Sequence, residues 1–265
     1  MLYNGIIENQ DILKDNNLEL IIIDNTPNRD LELHGVNIHY IPLLRNIGIA
    51  NAQNIGIKEA KNKGCKYIVF FDQDSRISSK LIMGLYNEFI KIKSSGINLA
   101  ALGPSLVEIQ TGSKYKGSST IGEAKRVNTL ISSGTFTEIQ VLNEVGGFNE
   151  KMFIDLVDHE WAWRAQSKGY CLYQSTSTIL YHQVGKKSIK VMGFPILISA
   201  PLRYYYQYRN TIWLLKCAHV PKLWKKKIVL RRFVELFIVP FKTGEWLSTV
   251  RNIYKGIKDG IVDGL

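Results

Sequence analysis

Cysteine is scarce in this sequence: Cys65, Cys171 and Cys217 are the three in 265 residues, and no two have paired spacing. That argues against a disulfide framework or a zinc cluster and fits a reducing compartment. Long apolar runs are absent too, since none approaches the roughly 18 to 20 residues that cross a bilayer. Nor does a charged-then-apolar leader open the chain, so a protein kept in the cytosol is expected. No Gly-x-Gly-x-x-Gly or Gly-Lys-Ser/Thr string occurs, which argues against a dinucleotide or P-loop enzyme. Acidic residues run short in one region. From Pro201 to Leu265, thirteen Lys and Arg face four Asp and Glu, so that tail holds +9 of the net +11.

What is present is a composition of 45% hydrophobic and 11% aromatic residues. It is enough for one large domain, or one domain with an appendage. The stretch around which the chain is organised is Tyr67-Ile-Val-Phe-Phe-Asp72-Gln-Asp74-Ser75. An unbroken apolar run ending in two carboxylates reads as a strand buried on both faces. The carboxyl ends of such strands are where α/β sheets bind ligands. Asp72 and Asp74 can converge on one hard cation, or they can be plain turn chemistry or a helix N-cap before the segment from Lys80 to Ile92.

In chain order, a polar, weakly helical stretch to about Asn17 precedes an apolar strand, Leu18 to Asn25, that also ends in an acid, Asp24. A short strand from Val36 to Ile41 and a helix from Arg45 to Gly64, capped by the glycine, follow. With the strand at Tyr67 they predict a βαβ unit with right-handed crossover. A helix from about Ser79 to Ser94, a strand from Leu99 to Pro104 and a Gly- and Ser-rich flap from Lys114 to Lys125 come next.

Asp155, Asp158, His159 and Glu160 then crowd the opening of a helix that ends near Gly169. Acids at a helix start also suit its dipole, so catalysis and helix stabilisation both account for them. A strand-like run reaches Tyr181-His182-Gln183-Val184-Gly185. The tail segment from Pro221 to Pro240 interleaves basic residues with Trp224, Phe233 and Phe237, which favours an anionic membrane surface over nucleic acid. A solvated basic helix pair packed on the domain is the plainer reading.

Taken together, Asp24, Asn46-x-Gly48-x-Ala50-x-Ala52-x-Asn54-x-Gly56, Phe71-Asp72-Gln73-Asp74-Ser75, Gly146-Gly147-Phe148, Val157-Asp158-x-Glu160-Trp161 and His182-Gln-Val-Gly185 closely resemble the inverting family-2 glycosyltransferases of GT-A fold. In detail they resemble the bacterial rhamnosyltransferase-like branch, over about residues 2 to 215. The resemblance implies an α/β fold, a GT-A (Rossmann-like) mixed, mostly parallel sheet flanked by helices, with a basic helical C-terminal appendage. The expected division is a catalytic domain over 1–200 and an appendage over 201–265 that contacts the membrane.

The resemblance also implies roles. Asp158 is expected as the base, with Glu160 as second choice and Asp155 as a competitor one turn earlier on the same face. Glu160 would diverge from Asp158 by about 200° on a helix, so only one of them faces the acceptor. Asp24, Arg45, Asp72, Gln73, Asp74 and His182 are expected on the donor, Asp24 accepting from the pyrimidine. Asp74, Asp72 and His182 are expected to hold Mg²⁺ or Mn²⁺, and Ser133, Glu160 and Trp161 to lie on the acceptor side.

The implied donor is dTDP-rhamnose or, in a related enzyme, a UDP-hexose or UDP-galactofuranose. The implied acceptor is a lipid-linked saccharide, met by an enzyme peripheral on the inner face of the cell membrane during surface polysaccharide synthesis. A non-catalytic nucleotide-sugar-binding scaffold is the alternative, and no nucleic-acid partner is expected. The opening Met1-Leu-Tyr-Asn4 keeps only the end of the family's usual first strand, and Asp259 to Leu265 resembles a terminal motif that stops early.

Overall fold

The computed structural model describes residues 18–29, 37–73, 75, 77–108, 124–182, 188–191 and 194–264. The expected helical stretch before Asn17 and most of the expected flap lie outside these residues. In chain order the first half runs β1 (Leu20–Asp24), β2 (Ile38–Pro42), α1 (Ile49–Asn62), β3 (Tyr67–Val69), α2 (Ser79–Ser94), β4 (Leu99–Glu108), β5 (Lys125–Val127) and β6 (Phe136–Glu138). The second half runs α3 (Ile139–Val145), α4 (Val157–Ser167), β7 (Cys171–His182), β8 (Ser188–Val191), β9 (Phe194–Leu197), α5 (Pro201–Lys216), α6 (Lys222–Lys242) and α7 (Trp246–Val262).

The main sheet has the order β3-β6-β4-β7-β5, beside the pairs β1-β2 and β8-β9. It is mixed, as expected, but less parallel than expected: β1-β2 and β4-β7 are parallel, and the other pairings among the described residues are antiparallel. The cause is β6, which runs antiparallel to both β3 and β4 and lies between them. It follows that β3, β4 and β7 point the same way, so their carboxyl ends share one edge. Among the described residues β2 pairs with β1 and not with β3, in a separate sheet, so β2-α1-β3 is not a directly paired βαβ unit.

The run at Tyr67 does face two cores. Ile68 and Phe70 pack with α1, α3 and α4 residues such as Ala60, Val145 and Trp161. Tyr67, Val69 and Phe71 pack on the other face with Leu81, Leu85 and Phe89 of α2. Full burial of a side chain such as Leu85 or Phe89 contributes about 1.5–3 kcal/mol. Ser78 caps α2, its hydroxyl accepting from the Leu81 N–H at 3.2 Å. The acidic pair upstream is therefore not the cap, although Ser75 N–H donating to Asp72 O at 3.0 Å does make a turn there.

Residue 200 is not a boundary in the packing. Leu214 of α5 and Val220 beyond it belong to the same core as α1 and α4, while Tyr204 and Tyr208 join Val239 of α6 and Ile253 of α7. Helices α6 and α7 are apolar on their outer sides as well: Leu223, Leu230, Phe233, Phe237 and Phe241 form one exposed stripe, and Leu247, Val250, Tyr254 and Ile261 another. On α6 that stripe lies opposite Ile228, Glu235 and Val239, which are buried. Among the described residues no helix is long and apolar enough to cross a membrane.

Helix α7 approaches α5 through glycine, and a Cβ on Gly256 would lie 2.4 Å from the Tyr205 carbonyl oxygen. Gly256→Ala is accordingly expected to lower unfolding stability by about 1–3 kcal/mol, read as a shifted urea midpoint. An unchanged midpoint would mean that the helices part without cost.

Candidate active site

The centre of the site is the turn from Ile131 to Thr135, which joins the strand tip at Asp72 to the helix that carries Asp158. Gly134 sits at φ +80°, and a Cβ there would meet Pro104 at 2.5 Å, so only glycine lets the turn pass. The turn is stitched to the end of β3 by Phe70 N–H donating to Thr135 O at 3.1 Å and Gly134 N–H donating to Phe70 O at 2.7 Å. Ser133 is thereby held against Ser75 and 3.5 Å from the Asp72 amide. Ser132 receives a hydrogen bond of 2.6 Å from Gln53 of α1. It also lines a small pocket with Phe70, Thr135, Asp158 and Trp161.

The three neighbouring carboxylates have different surroundings. Asp155 is gripped by the Arg203 guanidinium, at 2.7 Å from Nη2 and 2.8 Å from Nε. Glu160 is 3% exposed and bonded to Arg164, at 2.8 and 2.9 Å, with His219 3.2 Å away. It is an ion-paired part of the core rather than an open acceptor-side group. Asp158 is the one on the pocket wall, with a quarter of its side chain exposed (26%). Trp161 lines the same pocket from within the core, its indole N–H donating to Gly146 O at 2.9 Å.

His159 Nδ1 and its backbone N–H both lie 2.9 Å from one Asp158 oxygen. Burial pushes the Asp158 carboxyl up, but these hydrogen bonds and the imidazole charge outweigh it and hold the group below the ordinary carboxylate value. Burial likewise pushes His159 down, and Asp158 outweighs it, raising the imidazole above its ordinary value. Asp158 is therefore ionised at neutral pH.

At the end of β1, Asp24 accepts from the Thr26 N–H at 3.0 Å and the Tyr40 hydroxyl at 2.8 Å, with Arg29 at 3.4 Å. Burial raises its pKa, and these partners together lower it below the ordinary value. Asn25 ties this end to the next loop, accepting from Ile47 N–H at 2.8 Å. Asn46 accepts from Asn25 and from Gly48 N–H at 3.2 and 3.0 Å. Arg45 stands exposed on the same loop.

The glycine- and asparagine-rich strings have packing reasons. Asn54 mimics a backbone pair with Phe148, donating to its carbonyl and accepting from its N–H, both at 2.8 Å. A Cβ on Gly147 would strike Asn54 at 2.5 Å. Arg164 donates to the carbonyls of Val145 and Gly147 at 2.7 Å.

Asp72 follows β3 and His182 ends β7, so both reach the shared carboxyl edge of the sheet. Gln73 is exposed beside Asp72. Asp74 and the His182 side chain lie outside the described residues, and among the described residues no group of three metal-ligating side chains occurs. Two carboxylates and an imidazole are a donor set that suits Mg²⁺ or Mn²⁺; β6 and β4 lie between the strands that lead to Asp72 and His182.

With that geometry in view, comparison with known proteins is decisive. The pattern defining glycosyl transferase family 2 matches residues 4–132. A curated relative, the dTDP-rhamnosyl transferase RfbF of Shigella flexneri, is 35% identical over 230 residues, 80% of this chain and 75% of the relative. The chain belongs to glycosyl transferase family 2. It is thus a glycosyltransferase, and its fold is the GT-A fold of that family. S. aureus TarS 1-349 superimposes with a TM-score of 0.54 at 14% identity, over 97% of this chain and 76% of that one. GalNAc-T7, crystallised with UDP, GalNAc and Mn²⁺, superimposes with 0.53 at 14%, over 76% of this chain and 43% of its own.

Several site residues carried no signal in the sequence. Tyr40, Asn25, Gln53 and Ser132 sit in ordinary strand, loop and helix strings, and only the folded chain brings them to the site. The Asp158–His159 pair predicts a pH-dependent stability. Asp158 stabilises above its unfolded value near 3.8 and loses this as pH falls through its lower folded value. His159 stabilises below 6.5 and loses this as pH rises through its higher folded value. In urea unfolding, His159→Ala is expected to cost about 1 kcal/mol between roughly pH 4 and 6.5, with a smaller gap on either side. A gap that does not vary with pH would contradict the pairing.

Proposed function

We propose that this family-2 enzyme is a metal-dependent inverting transferase that moves a sugar from a nucleotide donor to a lipid-linked saccharide in bacterial surface polysaccharide synthesis. Rhamnose from dTDP-rhamnose is the sugar this reading favours, supported by the relationship to the dTDP-rhamnosyl transferase. A UDP-sugar would use the same residues. The observation that carries the reading is that Asp158 keeps the most exposed side chain of the three carboxylates, 26% against 14% for Asp155 and 3% for Glu160, the other two being held by Arg203 and Arg164.

In this scheme Asp158 takes the proton of the acceptor hydroxyl as its oxygen attacks the anomeric carbon in line with the departing diphosphate. The bond to the diphosphate breaks with its electron pair, and the product sugar has inverted configuration. Asp24 accepts a hydrogen bond from the pyrimidine, while Arg45 and Gln73 line the donor. Asp72, Asp74 and His182 would hold Mg²⁺ or Mn²⁺, which when bound supplies positive charge against the diphosphate. Ser133 and Trp161 are assigned to the acceptor side as supports from within the core, being 0% and 3% exposed, and not as groups that face the acceptor.

The groups that touch donor and acceptor are assigned to residues 1–200, on whose core the helix from Pro201 also packs. Residues 201–265 are assigned to contact with the inner face of the cell membrane, where a lipid-linked acceptor resides. The exposed stripes of α6 and α7 support this assignment. Ten basic residues against three acidic lie between Lys222 and Val262, and each near an anionic surface is worth about 1 kcal/mol.

Purified protein is expected to release dTDP from dTDP-rhamnose only with Mg²⁺ or Mn²⁺, and Asp158→Asn to slow this by about 10²- to 10⁴-fold. If no dTDP- or UDP-sugar binds in the presence of metal, a non-catalytic scaffold replaces this reading. The protein is also expected to co-sediment with phosphatidylglycerol vesicles at low salt and to be released at high salt. Failure to sediment at low salt would remove the membrane assignment.

A further inference from the structure

The four residues before the helix of Asp158 have an unusual backbone. Phe153 lies at φ 64°, ψ −64°, and Ile154 N–H donates to Met152 O at 2.7 Å, which is the strained form of the γ-turn. Asp155 and Leu156 follow at φ 66° and 65°. None of the three is glycine or asparagine, and left-handed backbone at such residues costs on the order of 1–3 kcal/mol each. Something outside the turn must hold it.

That something is one face of α5. Asn210, fully buried, donates from Nδ2 toward three carbonyls of the turn, those of Met152, Ile154 and Asp155, at 2.9, 2.8 and 3.0 Å. Arg209 donates to Lys151 O and Met152 O at 2.7 and 3.1 Å. Tyr206 stacks flat on Phe153, with ring centroids 4.6 Å apart and planes at 8°. Arg203 holds the Asp155 carboxylate with two nitrogens. Positions 203, 206 and 210 fall at helical spacing, so they act from one side. From the opposite side Gly48 abuts Phe153, where a Cβ would lie 2.6 Å from the ring, and Ile49 N–H donates to Phe153 O at 2.7 Å.

We infer that Arg203, Tyr206, Arg209 and Asn210 are positioning residues for the reaction: they hold the 153–156 turn in its strained form and so aim Asp158 at the acceptor hydroxyl. The inference rests on Asp158 being the base. An amide that spreads its two hydrogens over three carbonyls, and a bidentate arginine that fills a neighbouring carboxylate, fix the direction in which α4 leaves the turn. A relaxed turn would rotate the start of α4, and a displacement of about 1 Å at a reacting group can cost on the order of 100-fold in rate.

The test is a double-mutant cycle on the full chain, with Arg203→Gln and Asn210→Ala placed in the wild-type and Asp158→Asn backgrounds. dTDP binding is followed by calorimetry, and turnover with dTDP-rhamnose or whichever donor the wild type uses. In the wild-type background each substitution is expected to lower kcat by 10- to 100-fold while leaving dTDP affinity within about twofold. In the Asp158→Asn background neither is expected to slow the residual rate further, because a misaimed base that is already absent costs nothing. Arg203→Lys, which keeps one of the two contacts, is expected to fall between.

An undiminished kcat in Arg203→Gln, or an equal loss in both backgrounds, would overturn the positioning role. Should Asn210→Ala fail to fold, Arg203→Gln, at a side chain 34% exposed, carries the test. Full activity of Asp158→Asn would instead overturn the base assignment, and the inference with it.

Discussion

The site depends on a backbone that would not hold its shape alone. Between Met152 and Val157 the chain passes through a γ-turn at Phe153 and two further left-handed residues, Asp155 and Leu156. Their combined cost is several kcal/mol by the usual measure, comparable to a large part of a domain's net stability. The surroundings offset it with buried, directional contacts from α5 on one side and the Gly48 loop on the other. The strain lies where α4 begins, ending at Leu156, immediately ahead of the first helical residue and two residues ahead of Asp158. A change there is carried directly into the direction of that side chain.

The same loop system unites the two halves of the site. Asn25 and Asn46 tie the end of β1, with Asp24, to Gly48, and Gly48 rests on Phe153. Across the sheet edge, the Ser132–Gly134 turn touches Asp72 on one side and the Asp158 pocket on the other. The proposed donor groups and the proposed base are thus braced against each other by short polar contacts and by glycines that permit close approach. No long side chain has to span the gap.

Much of this was legible in the sequence because it follows from local periodicity. The helix at Ser79–Ser94 and the strands leading to Asp24 and Asp72 come from apolar patterning and end signals; helical geometry says that only one of Asp158 and Glu160 can face the acceptor, and the family resemblance picks Asp158. The antiparallel share of the sheet is not legible there, because β6 is a three-residue strand that no periodicity can announce. Glu160 reads in the sequence as a second candidate acid because its partner Arg164 looks like any surface arginine until Gly146 and Gly147 fold beneath it. The residues on α5 read in the sequence only as part of a basic tail. That Arg209 and Asn210 are buried and turned toward a loop more than fifty residues earlier is tertiary information.

The central claim is a single in-line displacement with Asp158 as its base, and the anomeric configuration of the transferred sugar tests it most directly. Proton NMR of the product, taken early in the reaction beside the nucleotide-sugar donor, reads the configuration at C1. Inversion relative to the donor is the predicted result. Retention would require two displacements or a front-face attack, and would contradict a mechanism in which Asp158 only accepts a proton.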